Sequence, residues 1–421
     1  MINKIKIKYI FLVAAFLRLI SLPWTFHGDI KATYWWGKFA LDFGWRGFYD
    51  WLNFGGYGRP DQPMINIYYD WLVRIVYQIL YQVLWFLNTH IPAFPSNLIT
   101  WYVEFGNLVL LKIPMLLADL LLIYLAYRFS KKFFSEQKSK IIALILALYP
   151  PFIYNTAFWG SGDSIVNLLA IVSLIFIWQK KYIFSVFFLI ISILYKPSLL
   201  IWVPIYFVIA LKNKISLKKI ILVTLFSLAL VYLISYPFAP KEINPILWFI
   251  KTMTSRILPG FMPHLTANAM NFWGLLYGLE LKLDNILLFN FITARTLSIL
   301  ICIPFYIYTL VKFYRHFTLK NLLFTLTSFT LVTFTFMTRM HERYTYPALL
   351  PLLLLGFYDP KLLKYFIILS VTHFYNVLCA WWLDGLLYFY PLVAVSSLIN
   401  IFLTLKIVFW NPNENSKHLQ Q

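Results

Sequence analysis

The sequence predicts an all-α polytopic membrane protein of about 12 crossing helices (roughly 11 to 13), with further helices lying at the membrane surface in its first outer loop. Three observations carry that expectation. Of 421 residues, 61% are hydrophobic and only 12% are charged, about half the charged share of a soluble domain. Mean hydropathy is +0.72, and a globular protein must keep a polar shell that such a chain cannot supply. Finally, Lys and Arg gather in short clusters between apolar runs rather than on one face, the pattern of cytoplasmic loops. The net charge of +20 therefore points to topology, and no nucleic-acid partner is expected.

Taken in order, runs long enough to cross the hydrocarbon fall near 7–23, 107–128, 139–157, 163–178, 182–195, 198–212, 219–237, 290–311, 321–338, 345–358, 363–380 and 387–409. The first follows a basic start but is interrupted by Arg18 and is not followed by a small-x-small cleavage site, so it reads as a helix and not a secretion signal. Lys196-Pro197 separates two short runs. With both termini inside, the cytoplasmic segments carry Lys4, Lys6 and Lys8, the Arg128–Lys140 cluster, Lys180 and Lys181, and Lys212–Lys219. They continue with Lys312, Arg315 and Lys320, then Lys361, Lys364, Lys406 and Lys417. That is more than half of the 36 basic residues, against three of the 16 acids, Glu136, Asp359 and Glu414.

The chain is expected to form a single domain over 1–421, with long outer loops at 24–106 and 238–289. Residues 64–88 are apolar enough to cross, but Asp70, Arg74, Gln78 and Gln82 recur every four residues along one helical face. A stripe of that kind suits a helix lying in the interface, and the charge parity favours it. Cys302 and Cys379 both sit in apolar runs as inert thiols, and no metal-ligand spacing is present.

Five places can carry chemistry. His27-Gly28-Asp29 follows the first span, where a carboxylate can accept a proton from a hydroxyl or simply begin a helix. Arg59-Pro60-Asp61-Gln62-Pro63 is a stiff charged turn suited to shaping an acceptor site. Trp159-Gly160-Ser161-Gly162-Asp163 ends one span and opens another, with Asp163 at the favourable end of the helix dipole. Lys196 is a cation in an apolar hairpin and calls for an anion, and Lys112 with Asp119 reads as a similar pair. Thr338-Arg339-Met340-His341-Glu342-Arg343-Tyr344 sets two arginines and a histidine at the outer boundary, against the positive-inside bias. Arginine forks suit phosphate oxygens, and Glu342 is placed to orient one of them.

The stretch WGSGDSIVNLLAIVSLIFIWQKKYIFSVFFLIISILYKPSLLIWVP resembles the Trp-Gly-Gln-x-Asp block, followed by Lys-Pro, of prokaryotic mannosyltransferase-like members of the GT-C superfamily, with Ser161 standing where Gln is usual. TRMHERYTYPALLPLLLL is similar to their Met-His-Glu-Arg-Tyr block, and NAMNFWGLLYG and KIPMLLAD also resemble family segments, in the same order along most of the chain. The resemblance implies a GT-C fold and an inverting transfer of a hexose, with mannose expected, from a polyprenyl-phosphate donor. The acceptor is a lipid, glycan or protein hydroxyl on the extracytoplasmic face of the plasma membrane. It implies Asp29 as general base and Arg339, His341, Arg343 and Lys196 as the set from which the donor phosphate is held. Trp159, Asp163, Glu342, Arg59 and Asp61 would shape the acceptor site or its loops. No cofactor or metal is expected, because the lipid-linked sugar is a substrate and no Asp-x-Asp motif occurs. The alternatives are a polar-lipid or polysaccharide flippase, whose charges would lie at the membrane midplane in paired halves, and a lipid-linked polysaccharide polymerase or ligase.

Overall fold

Long runs of Leu, Ile, Phe and Val, broken by Pro, Gly and short basic clusters, leave the backbone little choice in lipid, where every N–H and C=O must be bonded within its own segment. The computed structural model, which describes residues 5–260, 262–381 and 389–411, is accordingly mostly helical. In chain order the helices are α1 (Ile7–Ser21), α2 (Gly28–Phe43), α3 (Met64–His90), α4 (Asn97–Trp101), α5 (Asn107–Ser130), α6 (Glu136–Ala147), α7 (Pro150–Ile153), α8 (Asp163–Trp178) and α9 (Tyr182–Tyr195). They continue with α10 (Val203–Lys212), α11 (Leu217–Ser235), α12 (Pro245–Thr252), α13 (Phe272–Tyr277), α14 (Ala294–Arg315), α15 (Leu319–Phe336), α16 (Tyr346–Gly356), α17 (Pro360–Trp381) and α18 (Tyr390–Val408).

Among the described residues, six helical stretches are long and apolar enough to cross a membrane: Asn97–Ser130, which includes α4 and α5, and α11, α14, α15, α17 and α18. The bent pair Glu136–Ala147 and Pro150–Trp159 makes a seventh if it is one span. Helices α8, α9 and α16, and the stretch Pro197–Lys212, are apolar but shorter. These are the helices of a membrane protein. Lys4, Glu414 and Lys417, used above for topology, lie outside the described residues, as does the polar C-terminal tail.

The chain divides into two units. The first holds residues 1–125, 143–199 and 215–260. Within it α2 packs along the first half of α3, and α8 packs on α9. The close α2–α3 approach needs Gly37, where a Cβ would stand 2.5 Å from the Asp70 carbonyl oxygen. An aromatic core of Trp36, Phe48, Tyr49, Phe54, Phe238 and Trp248 binds residues 36–67 to residues 234–257. Arg18, the charge that interrupts the first apolar run, is fully buried. It donates to Asp119 Oδ2 at 2.5 Å and to the carbonyls of Ala14 and Ala147. Asp119 is therefore the partner of Arg18, which corrects the expected Lys112–Asp119 pair: seven residues is two helical turns, about 10 Å along α5.

The second unit holds residues 126–142, 200–214 and 261–421. Its centre is α15, buried on all sides from Asn321 to Phe336. The helix tolerates its many threonines because Thr325, Thr327, Thr330 and Thr333 each donate to the carbonyl four residues back. Helices α14, α16 and α18 pack against it. Two short ladders complete the unit: β1 (Thr266–Ala267) runs parallel to β4 (Met340–His341), and β2 (Leu287–Leu288) is antiparallel to β3 (Ile292–Thr293).

Helix α3 is continuous over 27 residues and is not among the long apolar stretches. Its polar stripe is uneven. Asp70 is buried, Arg74 is half-buried, and Gln78 and Gln82 are exposed, so the stripe passes from the interior of the first unit to its surface.

Candidate functional site

Asp29, Arg59, Asp61, Trp159, Asp163 and Lys196 belong to the first unit, and Arg339, His341, Glu342 and Arg343 to the second.

Asp29 is the second residue of α2, whose N-cap is His27. The Asp29 backbone N–H donates to His27 Nδ1 at 3.1 Å. The same Nδ1 lies 3.4 Å from Asp29 Oδ1. The His27 ring lies over Trp159, centroid to centroid 4.1 Å, and the Trp159 indole N–H donates to Asp29 Oδ2 at 3.0 Å. Trp159 is buried, whereas the Asp29 side chain keeps 49% of its exposure. One oxygen is thus oriented by a rigid, desolvated donor while the carboxylate stays open to solvent. Helix N-terminal amides favour its charge.

The chain that carries Trp159 turns sharply at Gly160, which has φ +76° and would place a Cβ 2.6 Å from the Ile30 side chain. Beneath this turn the fully buried Lys112 donates to the carbonyls of Leu22, Thr25, Ala157 and Phe158 at 2.5–3.2 Å. Four carbonyls around one ammonium fix the segment after α1 against the end of the Trp159 segment, and so hold the Asp29 and Trp159 strands of chain in register. Expecting an acid beside Lys112 missed this, because carbonyls leave no residue-type signal.

Asp163 opens α8 but does not cap it; Gly162 occupies the cap. Its carboxylate instead accepts from Ser161 Oγ at 2.8 Å and from Lys196 Nζ. The Lys196 anion demanded by the sequence is therefore Asp163, and both side chains are nearly sealed from solvent. Asp61 accepts from the Gln62 amide at 3.0 Å, and both it and Arg59 are half-buried in the turn leading into α3.

In the second unit the Thr338–Tyr344 segment is stitched to the segment around 264–271. Arg339 N–H donates to His264 carbonyl, β4 pairs with β1, and the Asn271 amide donates to the carbonyls of Phe334 and Met337. The NAMNFWG and MHER stretches thus meet. Arg339, in the left-handed region at φ +64°, makes a fork to Asp284 with Nε–Oδ2 at 2.6 Å and Nη2–Oδ1 at 3.0 Å. Asp284 was not among the expected residues. It lies 55 residues earlier in a loop whose local pattern says nothing of Arg339. A cavity of about 650 Å³ opens beside this fork, lined by Asp284, Thr293, Arg295, Thr296 and Arg339 among others. Glu342 accepts from Arg343 Nη1 at 2.5 Å and lies 3.8 Å from His341, so it does orient an arginine. Burial alone would raise the Glu342 carboxyl, but Arg343 and His341 outweigh it and hold it below the ordinary range.

Comparison with protein-family models and with curated proteins returned no match.

Proposed function

We propose that the chain is a membrane glycosyltransferase with the GT-C arrangement. It would carry about 12 helices across the bilayer, with both termini cytoplasmic and the reaction on the extracytoplasmic face of the plasma membrane. It transfers a hexose, with mannose the expected one, from a polyprenyl-phosphate donor to a hydroxyl of a lipid, glycan or protein. The observation that supports this best is the Asp29 carboxylate: half open at the start of α2, with one oxygen held by the buried Trp159 N–H.

In the proposed step Asp29 takes the acceptor O–H proton as that oxygen attacks the anomeric carbon. The bond from the anomeric carbon to the phosphate oxygen breaks, its electron pair leaves with polyprenyl phosphate, and the configuration inverts. Lys196, in the same unit as Asp29, is assigned to the phosphate, whose growing charge it would stabilise; Arg339, His341 and Arg343 of the second unit are cations of the kind a phosphate calls for. Each arginine here is already oriented by a carboxylate, Asp284 or Glu342, which pre-sets its fork. No cofactor or metal enters the step.

The test is incubation of the purified protein with radiolabelled polyprenyl-phosphate mannose and extracted membranes. Label should move into a lipid, glycan or protein fraction with wild type and not with Asp29→Asn. Donor-dependent transport of label across sealed vesicles without covalent transfer would replace this reading with a flippase.

A further inference from the structure

Asp70 is the anomaly of the first unit. It is 2% exposed, and neither carboxylate oxygen has a hydrogen-bond partner among the described residues. Buried carboxyl groups are almost always hydrogen-bonded or paired, because desolvation without a partner is costly.

Two of the neighbouring tyrosines donate elsewhere. Arg74, one turn along α3, places its guanidinium over the rings of Tyr34 and Tyr77. Tyr49, Tyr69 and Tyr195 lie close enough for the Asp70 charge to act on them. But Tyr49 donates to the Gln62 carbonyl at 2.8 Å and Tyr69 to the Leu111 carbonyl. Asn66, one turn before Asp70 on the same face, is also buried, and its Oδ1 likewise has no donor. The result is a buried polar cluster in which the Asp70 carboxylate oxygens, Asn66 Oδ1 and the Tyr195 hydroxyl have no hydrogen-bond partner among the described residues. Burial pushes the Asp70 carboxyl well up from its ordinary value, which fits an acid that both donates and accepts.

The cluster is continuous with the Asp163–Lys196 pair. Tyr195 precedes Lys196, and a Cβ on Gly162 would lie 2.5 Å from the Tyr195 hydroxyl.

We infer that Asp70 and Asn66, walled by Tyr49, Tyr69 and Tyr195, form a subsite for the hydroxyls of the donor's hexosyl group, beside the phosphate assigned to Lys196. Vicinal hydroxyls supply the missing donors, and tyrosine rings suit the C–H faces of a pyranose. This rests on the glycosyl-transfer reading.

The test compares two soluble probes on the full-length protein in detergent: a short-chain isoprenyl-phosphate mannose and the same isoprenyl phosphate without sugar. Asp70→Leu should weaken binding of the sugar-bearing probe by at least about tenfold, the loss of hydrogen bonds to a buried acid. It should leave the sugar-free probe unchanged and should not lower the thermal midpoint, because it removes a buried group that has no partner. Asp70→Asn, which keeps a donor and an acceptor, should stay within about threefold of wild type. Equal weakening of both probes, or a lowered thermal midpoint in Asp70→Leu, would make Asp70 a structural residue and overturn the subsite. A sodium-dependent rise of the wild-type midpoint that Asp70→Leu abolishes would assign the acceptors to a cation and overturn it too. If wild type binds and transfers mannose while Asp70→Leu binds it equally well, the subsite fails and the transferase reading stands. If wild type neither binds the mannose probe nor transfers from it, both fail.

Discussion

Asp29 and Asp163 stand on either side of Trp159, one at the start of α2 and the other at the start of α8, yet they are built for opposite tasks. Asp163 is nearly sealed, and its carboxylate is occupied by Lys196 and Ser161. A carboxylate bonded to an ammonium in low dielectric is a poor proton acceptor, and it serves as a fixed strut between the starts of two apolar segments. Asp29 is half open, with the Trp159 indole N–H on one oxygen. Its exposed side lets an incoming hydroxyl approach. Helix position, which both share, does not separate the roles; the partner and the solvent exposure do.

The contrast is broken most severely at Asp29. Replacing it by Asn removes the proton acceptor while keeping the Trp159 hydrogen bond, and turnover should fall by about 10²–10⁴-fold, the range for loss of a positioned base. Thermal midpoint and donor affinity should stay at wild-type values. Turnover within a few-fold of wild type would show that another group takes the proton. At Asp163 the loss should appear in stability instead. Lys196→Met strands a buried carboxylate and should cost about 3–5 kcal/mol, whereas the double change Asp163→Leu with Lys196→Met should recover most of it. Denaturation of the three proteins in one detergent measures the coupling. If the double variant is no more stable than Lys196→Met, the pair is not the strut described here.

Much of this was legible beforehand, for physical reasons that can be located. Every expected run of apolar residues contains a helix, because lipid-like composition and helix boundaries are local properties. Lys196 demanded an anion, and the nearest singled-out acid, Asp163, supplies it. What sequence could not show were partners distant along the chain and chemically silent. Asp284 in a loop gives no sign of its fork to Arg339. The carbonyls around Lys112 have no letter in the sequence, and so Asp119 was paired with the wrong cation. Asp70 looked like one rung of a surface stripe, since periodicity reports which side chains share a face but not whether that face is covered.

A smaller test concerns the second unit, whose acids resemble Asp163 in being paired. Glu342 has its folded value held below the ordinary value near 4.5. A depressed carboxyl contributes stability that is complete above its unfolded value and lost as pH falls through the folded one. The wild-type thermal midpoint should therefore drop on acidification below about pH 4.5 more steeply than that of Glu342→Gln. Parallel curves for the two proteins would remove Glu342 from the account of acid sensitivity.

The smallest effect should come from Trp159→Phe, which keeps a ring under His27 but deletes the indole N–H. A hydrogen bond to a charged group is worth about 1.5–3 kcal/mol when buried. Asp29 is half exposed, so water can replace the donor and the loss should shrink to about three- to tenfold in kcat. Donor affinity should not move, since the indole orients the base and is not assigned to the phosphate. A fall in donor affinity with kcat intact would mean that Trp159 meets the substrate directly. The openness of Asp29 would then serve binding, and its difference from Asp163 would no longer mark out a base.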